Sequence, residues 1–163
     1  MCAARIPFTY GPEELRAMYR GQRGNATARR YARWWSTVFG WGLAPSRWVT
    51  LEVPGRTSGR LTRFPLGCAT SAHERYLVSM LGDDCHWVKN VRANDGRAVI
   101  RHGRARPVQL EEVPAGDRAA ILARYVAQVP GGRPHIPVPV GAPLSDFAAI
   151  ASRYPVFGIV TTR

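Results

Sequence analysis

The chain has 163 residues, 45% hydrophobic and 21% charged, with 23 basic against 11 acidic side chains and a formal charge of +12. That length suits a single domain with a real core, and that composition excludes a disordered, collagenous or coiled-coil protein. No apolar run approaches the roughly 18 to 20 residues that span a bilayer, and the opening MCAARIPFTYGPEEL lacks a signal peptide's apolar stretch, so a cytoplasmic address is expected.

Residues 12–40 read as two short helices, with Pro12 suited to a first turn, Glu13 and Glu14 near the positive end of the dipole, and Gly21 and Gly24 as the break. In the second helix Tyr31, Trp34, Trp35 and Val38 recur at i, i+3, i+4 and i+7, while Arg29 and Arg33 fall on the other face. Two uses of that aromatic stripe stay open: packing on the body of the domain, or serving as an interfacial helix that rests on an anionic membrane as a peripheral contact or guards an apolar substrate channel. From Trp48 the period changes to two. Val49, Leu51 and Val53 alternate with Thr50 and Glu52, which predicts a half-buried strand. After the turn 54–59, strands are expected at Leu61–Ala69 and Arg75–Leu81, and a short helix over 84–94 begun by Asp83 or Asp84 as cap. Strands at 97–102 and 104–113 meet at Gly103, and a helix from Ala115 to Val129 places Ile121, Leu122, Tyr125, Val126 and Val129 on one side. Five prolines make 130–143 an extended loop, and a helix near 144–153 and a strand at 156–161 close the chain.

About six strands in antiparallel runs, with helices inserted between them, indicate an α+β domain whose sheet curls into a small barrel. A parallel nucleotide-binding sheet is disfavoured, because the glycine-rich segment joins two strands instead of leading from a strand into a helix. Residues 1–47 form a helical arm that packs on or caps the barrel of residues 48–163, one structural domain overall.

Cys2, Cys68 and Cys85 are odd in number and form no CxxC, and the four histidines show no paired ligand spacing, so neither a disulfide framework nor a metal site is expected. The basic residues are 22 arginines and one lysine, Lys89, an arginine bias of the kind a GC-rich genome produces. Eight arginines against two glutamates lie in residues 1–48. A cationic surface of this kind attracts any polyanion, and charge alone does not make nucleic acid a partner.

The most informative segment is Pro54-Gly55-Arg56-Thr57-Ser58-Gly59-Arg60, followed by Thr62, Arg63, Phe64 and Pro65. Its glycines permit a tight turn whose amides point at an anion, its hydroxyls add hydrogen bonds and its arginines add charge. It reads either as a cradle for phosphate or carboxylate or as a polar hairpin turn. It is not a P-loop, and no GxSxG nucleophile motif is present.

GRTSGRLTRFPL, then YLVSMLG, then HWVKNVRAN, resemble in order and spacing the deazaflavin (F420)-dependent nitroreductase and quinone reductase family. The resemblance covers about residues 45–113, and the closing RYPVFGIV is similar to the family's last strand. It implies a split β-barrel of the FMN-binding type, and hydride transfer from reduced coenzyme F420 to a small hydrophobic, electron-poor acceptor such as a quinone, nitro compound or activated enone. By the same resemblance Arg56, Thr57 and Ser58 meet the cofactor's tail, and Arg60 joins the cofactor site by restoring, with Arg63 and about one residue out of place, positive charge that the family's pattern carries. Thr62, Arg63, Phe64 and Pro65 line its phosphate and ring edge, Ser79, Met80 and Leu81 approach the ring, and Trp87 and Asn90 complete the wall. Thr57, Thr62 and Leu81 stand where the family commonly has lysine, arginine and lysine. These departures keep two alternatives open, a barrel that binds an apolar ligand without redox work and one that uses FMN or haem. Proton donors within the expected cleft are His86, Tyr125 and Tyr154, with solvent as the simplest substitute. Monomer and homodimer are equally compatible with the edge strands.

Overall fold

The computed structural model describes residues 13, 14, 17 and 26–161. Glu13, Glu14 and Ala17 are helical, and the break expected at Gly21 and Gly24, with Pro12 and Cys2, lies outside the described residues. Helix α1 spans Ala26–Gly40, and six strands follow: β1 (Trp48–Pro54), β2 (Leu61–Ser71), β3 (Glu74–Val78), β4 (Arg97–His102), β5 (Arg104–Glu112) and β6 (Val156–Thr161). They close into a barrel in the order β1-β2-β3-β6-β5-β4, every pair antiparallel. The barrel has flanking helices and is the expected α+β split-barrel class.

Alternation along the strands sets what the barrel encloses. Val49, Leu51 and Val53 point inward with Cys68, Leu77, Ile100, Val108, Leu110 and Phe157, and helix α2 (His86–Ala93) contributes Trp87, Val88 and Val91 to the same core. Glu52 lies on the other face of β1, opposite Arg63 of β2 and two residues from Thr50. A second core forms between the barrel wall and helices α3 (Ala119–Gln128) and α4 (Leu144–Ile150), where Leu122, Tyr125, Val126, Phe147 and Tyr154 meet Ala69, Val78 and Val156. Helix α1 lies against the wall through Phe39, stacked on Trp48 with ring centroids 5.4 Å apart, and through the Thr50 hydroxyl, which donates to Ser36 O at 2.5 Å.

Several boundaries differ from the periodicity. Strand β3 ends at Val78, because Ser79 donates its hydroxyl to Gly82 O at 2.7 Å across a turn in which Gly82 has φ 85°. Helix α2 begins at His86 with Cys85 as N-cap and no side-chain cap bond. Asp83 and Asp84 do not cap it, because their carboxylates are engaged by Arg92 at 2.8 Å and Lys89 at 2.7 Å. The helix expected from Ala115 is divided at Arg118 into a 3-10 turn (Ala115–Asp117) and α3. The buried Arg118 guanidinium donates to Val113 O, Ala151 O and Tyr154 O and so binds that junction to the chain's last helical turn. The proline-rich loop opens as a 3-10 helix (Pro130–His135), from which Arg133 donates to Val126 O at 2.6 Å and Ala127 O at 2.8 Å, satisfying carbonyls at the end of α3. The segment 144–153 is likewise α4 followed by a 3-10 turn (Ala151–Arg153). Gly96, φ 77°, turns the chain from α2 into β4, and a Cβ there would overlap the Leu110 carbonyl.

Candidate cofactor site

The turn between β1 and β2 is built from its own backbone. Gly55 N donates to Arg60 O and Gly59 N to Gly55 O, each at 2.8 Å, and Gly59 is left-handed with φ 66°. The Thr57 and Ser58 amides take no part in these two bonds, and their residues are exposed together with Arg56 and Arg60. Ser58 Oγ accepts from Arg60 N at 3.3 Å. A Cβ on Gly59 would meet nothing within 4 Å, so the turn opens toward solvent.

Helix α2 fixes the turn. The Asn90 side chain is buried, and its Oδ1 accepts from Arg56 N at 3.3 Å and from Arg56 Nη1 at 3.1 Å. Its Nδ2 donates to Thr62 Oγ1 at 3.3 Å, and Thr62 donates in turn to Val53 O at 2.6 Å. A continuous chain of hydrogen bonds therefore runs from the exposed guanidinium to the barrel backbone. Asn90 and Thr62 are used inward, which makes them positioning residues for Arg56.

Charge partners separate the arginines further. Arg63 Nε donates to Glu52 Oε1 at 3.0 Å, and Arg101 Nε to the same oxygen at 3.0 Å. Burial alone would raise the Glu52 carboxyl, but Arg101 and Arg63 outweigh it and hold the group below the usual carboxylate range. Arg92 bridges Asp83 and Glu112. Among the described residues, neither Arg56 nor Arg60 has a carboxylate partner.

The remaining predicted residues fall in three places. Ser79, Met80 and Leu81 form the turn between β3 and α2, so α2 joins that turn to the arginine turn. There Ser79 is fully buried, whereas Met80 and Leu81 are half-buried. His86 is exposed in the first turn of α2, while Trp87 is 3% exposed, its ring 5.4 Å from that of Phe157 inside the barrel. Phe64 packs partly against the same interior, and Pro65 is half-buried. Tyr125 and Tyr154 belong to the helical core, Tyr125 with its hydroxyl pushed above the ordinary range by burial and Tyr154 donating to His135 O at 3.1 Å. Neither joins the segments gathered by α2. Sequence reading missed Glu52 and Arg118; the only local signal for Glu52 was a charge on the polar face of a strand.

A closed antiparallel barrel whose cationic, hydroxyl-bearing turn is pinned by a helix that buries one face in the barrel core defines a split-barrel protein. The family described as F420H2-dependent quinone reductase matches residues 25–140, and the chain belongs to it. Among solved structures, a protein of unknown function from Agrobacterium tumefaciens aligns with TM-score 0.53 at 13% identity, covering 77% of this chain and 53% of that one, a likeness of fold. An F420-H2-dependent reductase aligns with TM-score 0.46 at 20% identity, over 69% of this chain and 93% of its own. A conserved hypothetical protein from Mycobacterium tuberculosis gives 0.49 at 15%, over 78% and 80%. No curated protein matches the chain.

Membership makes the chain an F420-dependent reductase, with coenzyme F420 as its cofactor. The donor set of the turn fits such a group. Two guanidiniums without carboxylate partners among the described residues, two exposed hydroxyls and a left-handed glycine suit the phosphate and carboxylates of the deazaflavin's tail.

Proposed function

We propose that the chain reduces a small hydrophobic, electron-poor acceptor, a quinone, nitro compound or activated enone, at the expense of reduced F420. The observation that carries this reading is the pairing of Arg56 and Arg60, which have no carboxylate partner among the described residues, with a buried Asn90 that holds Arg56 in place. When bound, the reduced deazaflavin supplies the hydride. Arg56, Arg60, Thr57 and Ser58 hold the anionic tail. Phe64, Pro65, Met80 and Leu81 offer half-buried apolar surface to the ring and exclude water from it. Arg63, Thr62, Ser79, Trp87 and Asn90 act from behind, by fixing the wall and the turn. His86 is the proton donor, because it stands exposed on the helix that unites both segments, whereas Tyr125 and Tyr154 lie in the other core. Fluorescence titration with oxidised F420 tests the proposal: saturable binding is expected, and its absence up to about 1 mM, the weak end of ordinary affinities, overturns it.

The acceptor's hydrophobic character favours delivery from a membrane surface. Trp34, Trp41 and Leu43 are 53%, 71% and 72% exposed, beside the exposed Arg33. No helix among the described residues is long and apolar enough to cross a membrane, so the contact is peripheral.

A further inference from the structure

A second group of arginines converges at the opposite end of the β1–β2 ribbon. The cofactor turn joins Pro54 to Leu61, whereas Trp48 pairs with Gly67 at the far end, roughly 20 Å away for seven residues of strand. There Ser46, Arg47, Thr70, Arg75 and Gln128 line a polar cavity of about 230 Å3, several times the roughly 30 Å3 share of one water.

The two arginines and the glutamine in it are held before any ligand arrives. Arg47 Nη1 donates to Gln128 O at 2.8 Å, and Arg75 Nη2 donates to Ser46 O at 2.7 Å. The Gln128 side chain grips the Thr70 backbone twice, accepting from Thr70 N at 2.7 Å and donating to Thr70 O at 2.9 Å. Two guanidiniums from separate segments are thus oriented by backbone carbonyls, with further N–H groups left on each fork. No carboxylate neutralises either one among the described residues. Glu74, the nearest acid in sequence to Arg75, receives the Tyr76 hydroxyl instead. Burial pushes the Cys68 thiol up to about 11 although Arg75 opposes the shift, so the thiol stays neutral and offsets neither cation.

We propose that the Arg47–Arg75 cavity is a second anion site, independent of the cofactor turn, that binds a phosphate group on a small solute or a lipid headgroup. Paired arginine forks with adjacent hydroxyls match the three or four oxygens of a phosphate better than they match a single carboxylate. The loop that enters the site exposes Trp41 and Leu43, which suits a headgroup, and the open mouth equally admits a free phosphate ester.

The test is an amide-resolved NMR titration with inorganic phosphate at constant ionic strength. Shifts at Ser46, Arg47, Thr70 and Gln128 that saturate by about 10 mM are expected. Ser46→Asp places a carboxylate at the mouth while keeping the backbone oxygen that orients Arg75, and it should weaken those shifts at least about tenfold without altering any phosphate response at Thr57–Gly59. Arg75→Gln is the second variant and should do the same. Absence of the shifts in the wild type, or their persistence in Ser46→Asp, overturns the proposal. Sedimentation with phosphatidic acid vesicles separates the sources: binding lost in Ser46→Asp assigns a headgroup, and phosphate shifts without vesicle binding assign a soluble phosphate ester.

Discussion

The outer face of β1 and the turn that follows it use the same side chain for opposite ends. Around Glu52, Arg63 and Arg101 converge from β2 and β4 on one carboxylate that is 4% exposed, and the three strands are joined through it. A few residues on, Arg56 and Arg60 stand exposed with no carboxylate partner among the described residues, and the buried polar group beneath them is the neutral Asn90. An arginine facing a buried acid belongs to the fold, and its charge is used up locally. One oriented by a neutral amide keeps its charge for a ligand, because an amide fixes direction without cancelling the field. The count of +12 says nothing about this division.

The largest effect should come from the residue that supports both regions from inside. Trp87→Ala removes a ring packed on Phe157 in the barrel interior and should cost about 3–5 kcal/mol in denaturant unfolding. The fraction that remains folded should still bind F420. Loss of affinity in a fully folded variant would instead make Trp87 part of the cofactor's wall. Next is Glu52→Gln, which leaves Arg63 and Arg101 facing each other over a neutral group and should cost about 1–3 kcal/mol. Because the folded carboxyl is held low, its contribution is present above the ordinary glutamate range and disappears as pH falls through the folded value. The variant's stability should therefore be flatter than the wild type's in that acid window, while F420 affinity at neutral pH stays unchanged. Arg56→Ala and Arg63→Ala then break the comparison directly. Arg56→Ala should weaken F420 by about tenfold or more, on the scale of a charge-assisted hydrogen bond, with little change in unfolding. Arg63→Ala should do the reverse, and equal losses of affinity in both would erase the distinction.

Strand positions were legible because the face turned to the barrel interior writes a period of two into Val49, Leu51 and Val53, although β1 is not the half-buried strand expected, since Thr50 and Glu52 on its other face are buried as well; the arginine turn was legible because glycines punctuate it. What escaped is what depends on partners distant in sequence. Arg101 is 49 residues from Glu52 and Arg118 is 36 from Tyr154 O, so no local pattern marks either bond. The same limit explains Asp83 and Asp84, whose sequence position suggests a cap until Arg92 and Lys89 are seen to take their carboxylates. In one dimension Tyr125 and Tyr154 stood behind His86 as candidate donors, with nothing to place any of the three in space. Closure of the barrel puts them in the helical core and leaves His86 at the exposed start of α2.

The smallest effect should follow from His86→Ala. The side chain is exposed, so unfolding should change by less than about 0.5 kcal/mol. If His86 passes a proton to the reduced acceptor, kcat should fall, yet by less than about tenfold, or 1.4 kcal/mol, since water reaches the same place and substitutes. The sharper readout is the pH dependence of kcat between about 5 and 8, the interval in which histidine changes charge. The wild type should lose rate toward the alkaline side as the donor is deprotonated, and the variant should be flat. A variant that retains the slope assigns the proton to another group. In that case α2 serves the site through Asn90 alone, as the strut that holds the arginine turn.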